Sequence, residues 1–205
     1  MKNIWLVLFL RTVIYSLVLL GILEVIEYDS TVGEVGTRFG ESSFTEIAQE
    51  VFLLLGAIAC YFVAWRSKAY RALLISMATF MLVSFVREFN NYMKTHWFDG
   101  AWQIIVYSIL IPYFIYAFKH WRGIKSDLEK LSSSFSFGVL FCAVLIVFLF
   151  SRIYGLHGIW QNLLGENYIR DIKNVSEEGI ELLGYALLFL GSLEVCLNSF
   201  LAKKA

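Results

Sequence analysis

The chain reads as an all-α integral membrane protein of six transmembrane helices. Both termini are expected to be cytoplasmic, with one amphipathic interfacial helix between spans five and six. Three observations predict this. Of the 205 residues, 59% are hydrophobic, 17% are charged, and the mean hydropathy is +0.66. A soluble domain of this size has no core able to hide so much apolar surface. Several apolar runs reach the roughly 20 residues that a helix needs to cross a bilayer. Basic and acidic residues then fall on alternate loops, which gives the spans a direction. Six spans with short loops leave no room for an extramembrane domain, so residues 1–205 are expected to form a single membrane domain.

Span one covers about 4–26. Arg11 lies inside it, and Glu24 and Glu27 end it on nearly one helical face. One Lys precedes the apolar run and no convincing small-residue cleavage site follows it. That pattern predicts a retained span rather than a cleaved signal peptide. Next comes an exposed acidic loop or short hairpin, with Asp29, Glu34 and Glu41 against Arg38 and three glycines. Span two covers about 43–65. Ser43-Phe-Thr-Glu46 has the spacing of a capping box, and Trp65-Arg66-Ser67-Lys68 is its aromatic and basic flank. Span three covers about 70–89, with Ser76, Ser84, Arg87 and Asn91 along one side at helical spacing.

The polar turn VREFNNYMKTHWFDGAW leads into span four, about 101–119, which holds Pro112, the only proline. Proline there frees the carbonyl of Ser108 and predicts a bend. The loop from Lys119 to Lys130 is basic. Span five, about 131–150, carries no charge and is expected to be the most lipid-facing. Within about 156–173, Trp160, Leu164, Tyr168 and Ile172 recur every four residues, which predicts an amphipathic helix lying flat at the membrane surface. Span six, about 176–201, is followed by Lys203 and Lys204.

Lys2, the Arg66–Arg71 turn, the Lys119–Lys130 loop and Lys203–Lys204 share one side, which the positive-inside rule makes cytoplasmic. Trp5, Trp65 and Trp121 mark that interface, and Trp97, Trp102 and Trp160 mark the other. The expected location is a multi-pass position in a bacterial inner (cytoplasmic) membrane. Most acidic residues then fall on the outer half, a surface suited to cations or to a basic partner.

Four constellations could carry chemistry. The first is a semi-buried polar cluster at the outer ends of the spans: Glu46, Glu50, Arg87, Glu88, Asp99, Glu177, Glu178 and Glu181. Glu46, Glu177 and Glu178 are equally explained as helix-end carboxylates favoured by the dipole. Glu50 and Glu181 lie about 7 Å below their helix starts, where a carboxylate faces a partner or a wet cavity. Arg87 is the expected countercharge, with Glu88 beside it. The second constellation is Arg11 with Glu194, an ion pair near the inner face, unless Arg11 snorkels to the interface.

The third is His96 and His157 at the rim of the cluster. With carboxylates they could make a mixed metal site, but no HExxH, HxxxH or helical Glu-x-x-His pattern supports one, so no metal ligand and no cofactor is assigned. The fourth is a run of small residues, Gly56, Ala57, Cys60, Ala64, Gly184 and Gly191, which suits close helix packing or a homo-oligomer contact. Cys60, Cys142 and Cys196 are odd in number and widely spaced, and read as small buried hydrophobes.

The favoured function is binding or translocation of protons or small cations. Glu50 and Glu181 would titrate, and Arg87 would set their proton affinity by charge. The polar continuation beneath the cluster is thin (Ser84, Ser76, Tyr107 and Ser108), which counts against an open channel. Two alternatives stand beside it: a membrane-embedded enzyme, with or without a metal, acting on a lipid or outer-face substrate, and a non-catalytic assembly or sensor subunit. Expected partners are the lipid bilayer, a small cation, and a second copy or another membrane protein. No basic nucleic-acid surface is present.

Overall fold

The computed structural model describes residues 4–40 and 43–202. Lys2, Glu41, Lys203 and Lys204 lie outside them. The described residues form only helices and turns: α1 (Ile4–Thr31), α2 (Phe44–Arg66), α3 (Arg71–Glu88), α4 (Asn90–His96), α5 (Ala101–Lys119), α6 (Trp121–Leu131), α7 (Phe135–Leu145), α8 (Ser151–Tyr154), α9 (His157–Leu164) and α10 (Arg170–Ala202). A π turn, Ile146–Phe150, joins α7 to α8, and a 3₁₀ turn, Gly165–Asn167, comes after α9. Among the described residues, five stretches are long and apolar enough to cross a membrane, and a sixth is counted if α3 and α4, bent by 48°, are one span.

The chain forms two compact units. One consists of residues 1–49 and 143–186, the other of 50–142 and 187–205. In the first unit, α1 runs five residues past its predicted end and stops at Gly33, whose φ of +90° is the left-handed conformation that closes helices. Within α1 only Ile22 and Asp29 are buried. Asp29 corrects the expectation of an exposed acidic loop. Its carboxylate accepts the backbone N–H groups of Phe44 and Thr45, at 3.1 and 2.7 Å, and the Thr45 hydroxyl at 2.6 Å. An acid at the C-terminal end of one helix thus caps the start of the next, where the dipole favours it. Ser43 completes the cap by accepting the Glu46 N–H, the forward half of the predicted capping box. Asp171 holds the rest of this loop by accepting the N–H groups of Gly36 and Arg38.

The second unit packs α3 against α5 and α6, and α4 against α5. The basic loop after span four is not a loop. Residues Trp121–Leu131 form α6, because Trp121, Ile124, Leu128 and Leu131 recur on one face while Arg122, Lys125 and Glu129 recur on another. The predicted polar turn likewise contains a helix, α4. α5 continues unbroken through Pro112.

Small residues sit where helices touch. A Cβ on Gly56 would lie 2.6 Å from Met81 Sδ, and one on Gly191 would lie 2.9 Å from Leu140. Cys60 and Cys196 are buried with their sulfurs 3.9 Å apart, whereas Cys142 is exposed, against expectation. Ser192, Ser199 and Asn198 of α10 add hydrogen bonds to Met81, Ala69 and Ser136, the polar contacts that join helices in an apolar medium.

Two further expectations change. The most exposed span is α1, of which 6% is buried, then α5 at 11%, whereas Phe135–Tyr154 is 22% buried. Absence of charge does not mark a lipid-facing helix, since helix-facing and lipid-facing surfaces are equally apolar. The amphipathic helix over 156–173 is also not continuous. It ends at Leu164, because Gly165 takes a positive φ and Tyr168 is extended, and α10 starts at Arg170, six residues before the predicted span.

Candidate functional site

Two buried carboxylates of the first unit, Glu177 and Glu181, meet a cation between α8 and the first turns of α10. The π turn carries one residue more per turn than an α-helix, so it rotates the residues after it by about 100°. In that register Ser151 and Arg152 reach α10. Arg152 Nη1 donates to Glu177 Oε1 at 2.7 Å, and Nη2 lies 2.5 Å from Glu181 Oε1. One guanidinium therefore bridges two carboxylates one helical turn apart, the fork geometry that arginine supplies and lysine does not. Lys173 pairs with the same Glu177 from the turn before. The Ser151 hydroxyl, fully buried, donates to the carbonyl of Val147 at 2.6 Å and lies 3.2 Å from Glu181 Oε1.

Depth sets the electrostatics. Glu177 and Glu181 are buried, while half of the Arg152 side chain is exposed. Two acids below the surface are matched by two cations at its edge. Removing carboxylates from water costs several kcal/mol each, roughly, unless countercharges and hydrogen bonds replace the water. Two glycines make the approach close. A Cβ on Gly155 would lie 2.6–2.9 Å from the Glu177 carboxyl atoms, so only glycine lets that carboxylate rest against the backbone. A Cβ on Gly184 would lie 2.4 Å from Val147 Cγ2, so α10 passes directly against the π turn.

The other predicted residues divide between the two units. In the first unit, Glu46 is in the first turn of α2. Glu178 accepts the Gln49 amide at 3.1 Å, and that amide also donates to the Glu178 carbonyl at 3.0 Å. Glu177 and Glu181 share one face of α10, and Glu178 falls on another. In the second unit, Glu50 is half-buried and feels the Glu88 carboxylate. Arg87, the expected countercharge, bonds to Glu88 at 3.1 Å. Asp99 is largely exposed, 3.8 Å from Lys94. Arg11 of the first unit and Glu194 of the second are each half-buried.

His96 stacks on Tyr92 at 4.2 Å, and His157 meets the Tyr168 ring edge-on at 4.6 Å. Among the described residues, no group of three or more His, Cys, Asp or Glu side chains could hold a metal ion.

Arg152, Lys173, Ser151 and Gln49 are the members that sequence reasoning missed. One signal was available. Arg152 comes just after an uncharged span, at the end from which the E-x-x-x-E face of α10 begins, and Lys173 lies one turn before Glu177. No family model, curated protein or solved structure matches the chain.

Proposed function

We propose that the protein is a six-span membrane protein of a bacterial inner membrane, with both termini cytoplasmic, that binds or translocates protons or small cations at its outer-end carboxylates. The observation that supports this best is the Arg152 bridge between the buried Glu177 and Glu181. A buried carboxylate in an apolar helix is expensive, and proton relays use such groups. Of the two cargoes, the proton fits the geometry better. The carboxylates already face donors from Arg152 and Lys173, and a metal cation would have to displace two positive side chains. A proton need only convert one carboxylate to a carboxyl group. That step removes one negative charge from a balanced set of four and loosens the half-exposed Arg152.

The test is proton flux into vesicles reconstituted with the full chain, read by a pH-sensitive dye, for wild type and for Glu181→Gln and Glu177→Gln. The expected result is flux above that of empty vesicles, reduced at least tenfold in Glu181→Gln with the protein still monodisperse. Proton binding without flux would appear as a carboxyl infrared band that titrates in wild type and is missing in the variant. Absence of both signals in wild type overturns the reading.

A second reading, a non-catalytic assembly or sensor subunit, draws on the purely structural use of Asp29, as a cap, and Asp171, as an anchor of the loop, in the same unit. It predicts that Glu181→Gln lowers the melting temperature and changes nothing else.

A further inference from the structure

At the junction of α5 and α6 a groove of about 710 Å³ is lined by Phe118, Lys119, His120, Trp121, Arg122 and Gly123. No carboxylate lines it. Lys119, the last residue of α5, and Arg122, in the first turn of α6, are three residues apart, and among the described residues neither takes part in an ion pair. The acidic side chains of α6 lie elsewhere: Glu129 pairs with Lys125, at 3.8 Å, and Asp127 is beside the start of α3. Beside these cations stand two large apolar side chains with almost no cover. Phe118 is 88% exposed, the most open of the large hydrophobics, and Trp121 is 63% exposed. The His120 ring is fixed, stacked on Tyr116 at 4.2 Å and bonded to its carbonyl at 3.0 Å, so the groove has one rigid wall.

We infer that this groove binds the headgroup of an anionic phospholipid, with the phosphate on Lys119 and Arg122 and the glycerol and first acyl carbons on Phe118 and Trp121. Three features select that ligand. The cations at the groove need negative charge, and guanidinium and ammonium groups both suit phosphate oxygens. The exposed aromatics need apolar cover, which a free phosphate ion does not provide. The position is the end of an apolar helix, where tryptophan and basic residues meet headgroups, and it leads at once into an amphipathic helix of the kind that lies in the interface. Basic pockets next to membrane helices hold anionic headgroups for these reasons. The inference rests on α5 crossing the bilayer and is independent of the Glu177–Glu181 pair.

The test reconstitutes the full chain in phosphatidylcholine vesicles that contain either brominated phosphatidylglycerol or brominated phosphatidylcholine. The readout is quenching of Trp121, taken as the difference between wild type and Trp121→Phe. Brominated phosphatidylglycerol is expected to quench Trp121 more strongly at equal content, and raising the salt concentration should reduce the excess. Lys119→Gln with Arg122→Gln should lower the relative association constant by about fivefold per cation removed, while Lys119→Arg with Arg122→Lys keeps the preference. The wild-type lipid comparison needs no variant, so misfolding of the double Gln variant would not remove the test. Equal quenching by the two lipids in wild type overturns the inference. So does a preference that survives loss of both cations, or full competition by water-soluble glycerol phosphate, which would make the ligand a free phosphate.

Discussion

Asp127 shows one side chain serving two helices. α3 begins after Tyr70, whose φ of 56° is left-handed and whose side chain makes no cap. The Leu73 N–H of that first turn instead lies near the Asp127 carboxylate of α6 and favours its charged form. Burial pushes the Asp127 carboxyl above the ordinary aspartate range, and Lys130 and the Leu73 N–H only partly oppose this. A raised folded value means that the native state holds the proton more tightly than the unfolded chain does. The burial cost is therefore absent below about pH 4, the ordinary aspartate value, and grows as pH rises through the folded value. Asp127→Asn keeps an acceptor for Leu73 and removes that cost. It should melt at or above wild type at neutral pH and converge with it at low pH. Asp127→Ala also removes the carboxylate beside the Leu73 N–H and should cost about 1 kcal/mol. Melting curves in detergent at both pH values decide this, and equal losses for Asn and Ala at neutral pH would refute it. At the same scale, Glu177 and Glu181 were legible in the sequence because helix arithmetic puts them on one face. Their Arg152 partner was not, because pairing depends on the register that the π turn imposes.

Between elements, contact distance separates the glycines that matter from those that do not. Gly184 meets the π turn with no room for a methyl group, while a Cβ on Gly138 of α7 would meet nothing within 4 Å. Gly184→Ala should therefore destabilise by about 1–3 kcal/mol through overpacking, and Gly138→Ala should be neutral. Thermal unfolding of both variants in the same detergent is the check, and a neutral Gly184→Ala would mean that α10 can move away from the π turn at no cost. Helix identities were readable from apolar run length. Helix ends were less so. α1 and α10 both extend beyond their apolar runs, because Asp29 caps α2 there and Asp171 holds the loop of Gly36 and Arg38, roles that hydropathy does not register. α6 was missed because its charge suggested a loop, although its apolar positions keep helical spacing.

For the whole molecule, the number of crossings decides the topology. If the bent pair α3–α4 is one span, six crossings place both termini on the same side. If it is not, five crossings place them on opposite sides. A C-terminal fluorescent fusion should light up in the cytoplasm, and an alkaline phosphatase fusion at the same place should stay inactive. The reverse pattern would remove α3–α4 as a span and the outer-face assignment with it. Composition and run length by themselves determined the helical class and the apolar spans, because both depend on transfer free energies that add along the chain. They also placed small residues at helix contacts. Only the tertiary structure decided which charges meet. Ion pairs depend on separation and angle between helices distant in sequence, and one π turn rotates a whole helical face. Arg152 bridges Glu177 and Glu181 for that reason.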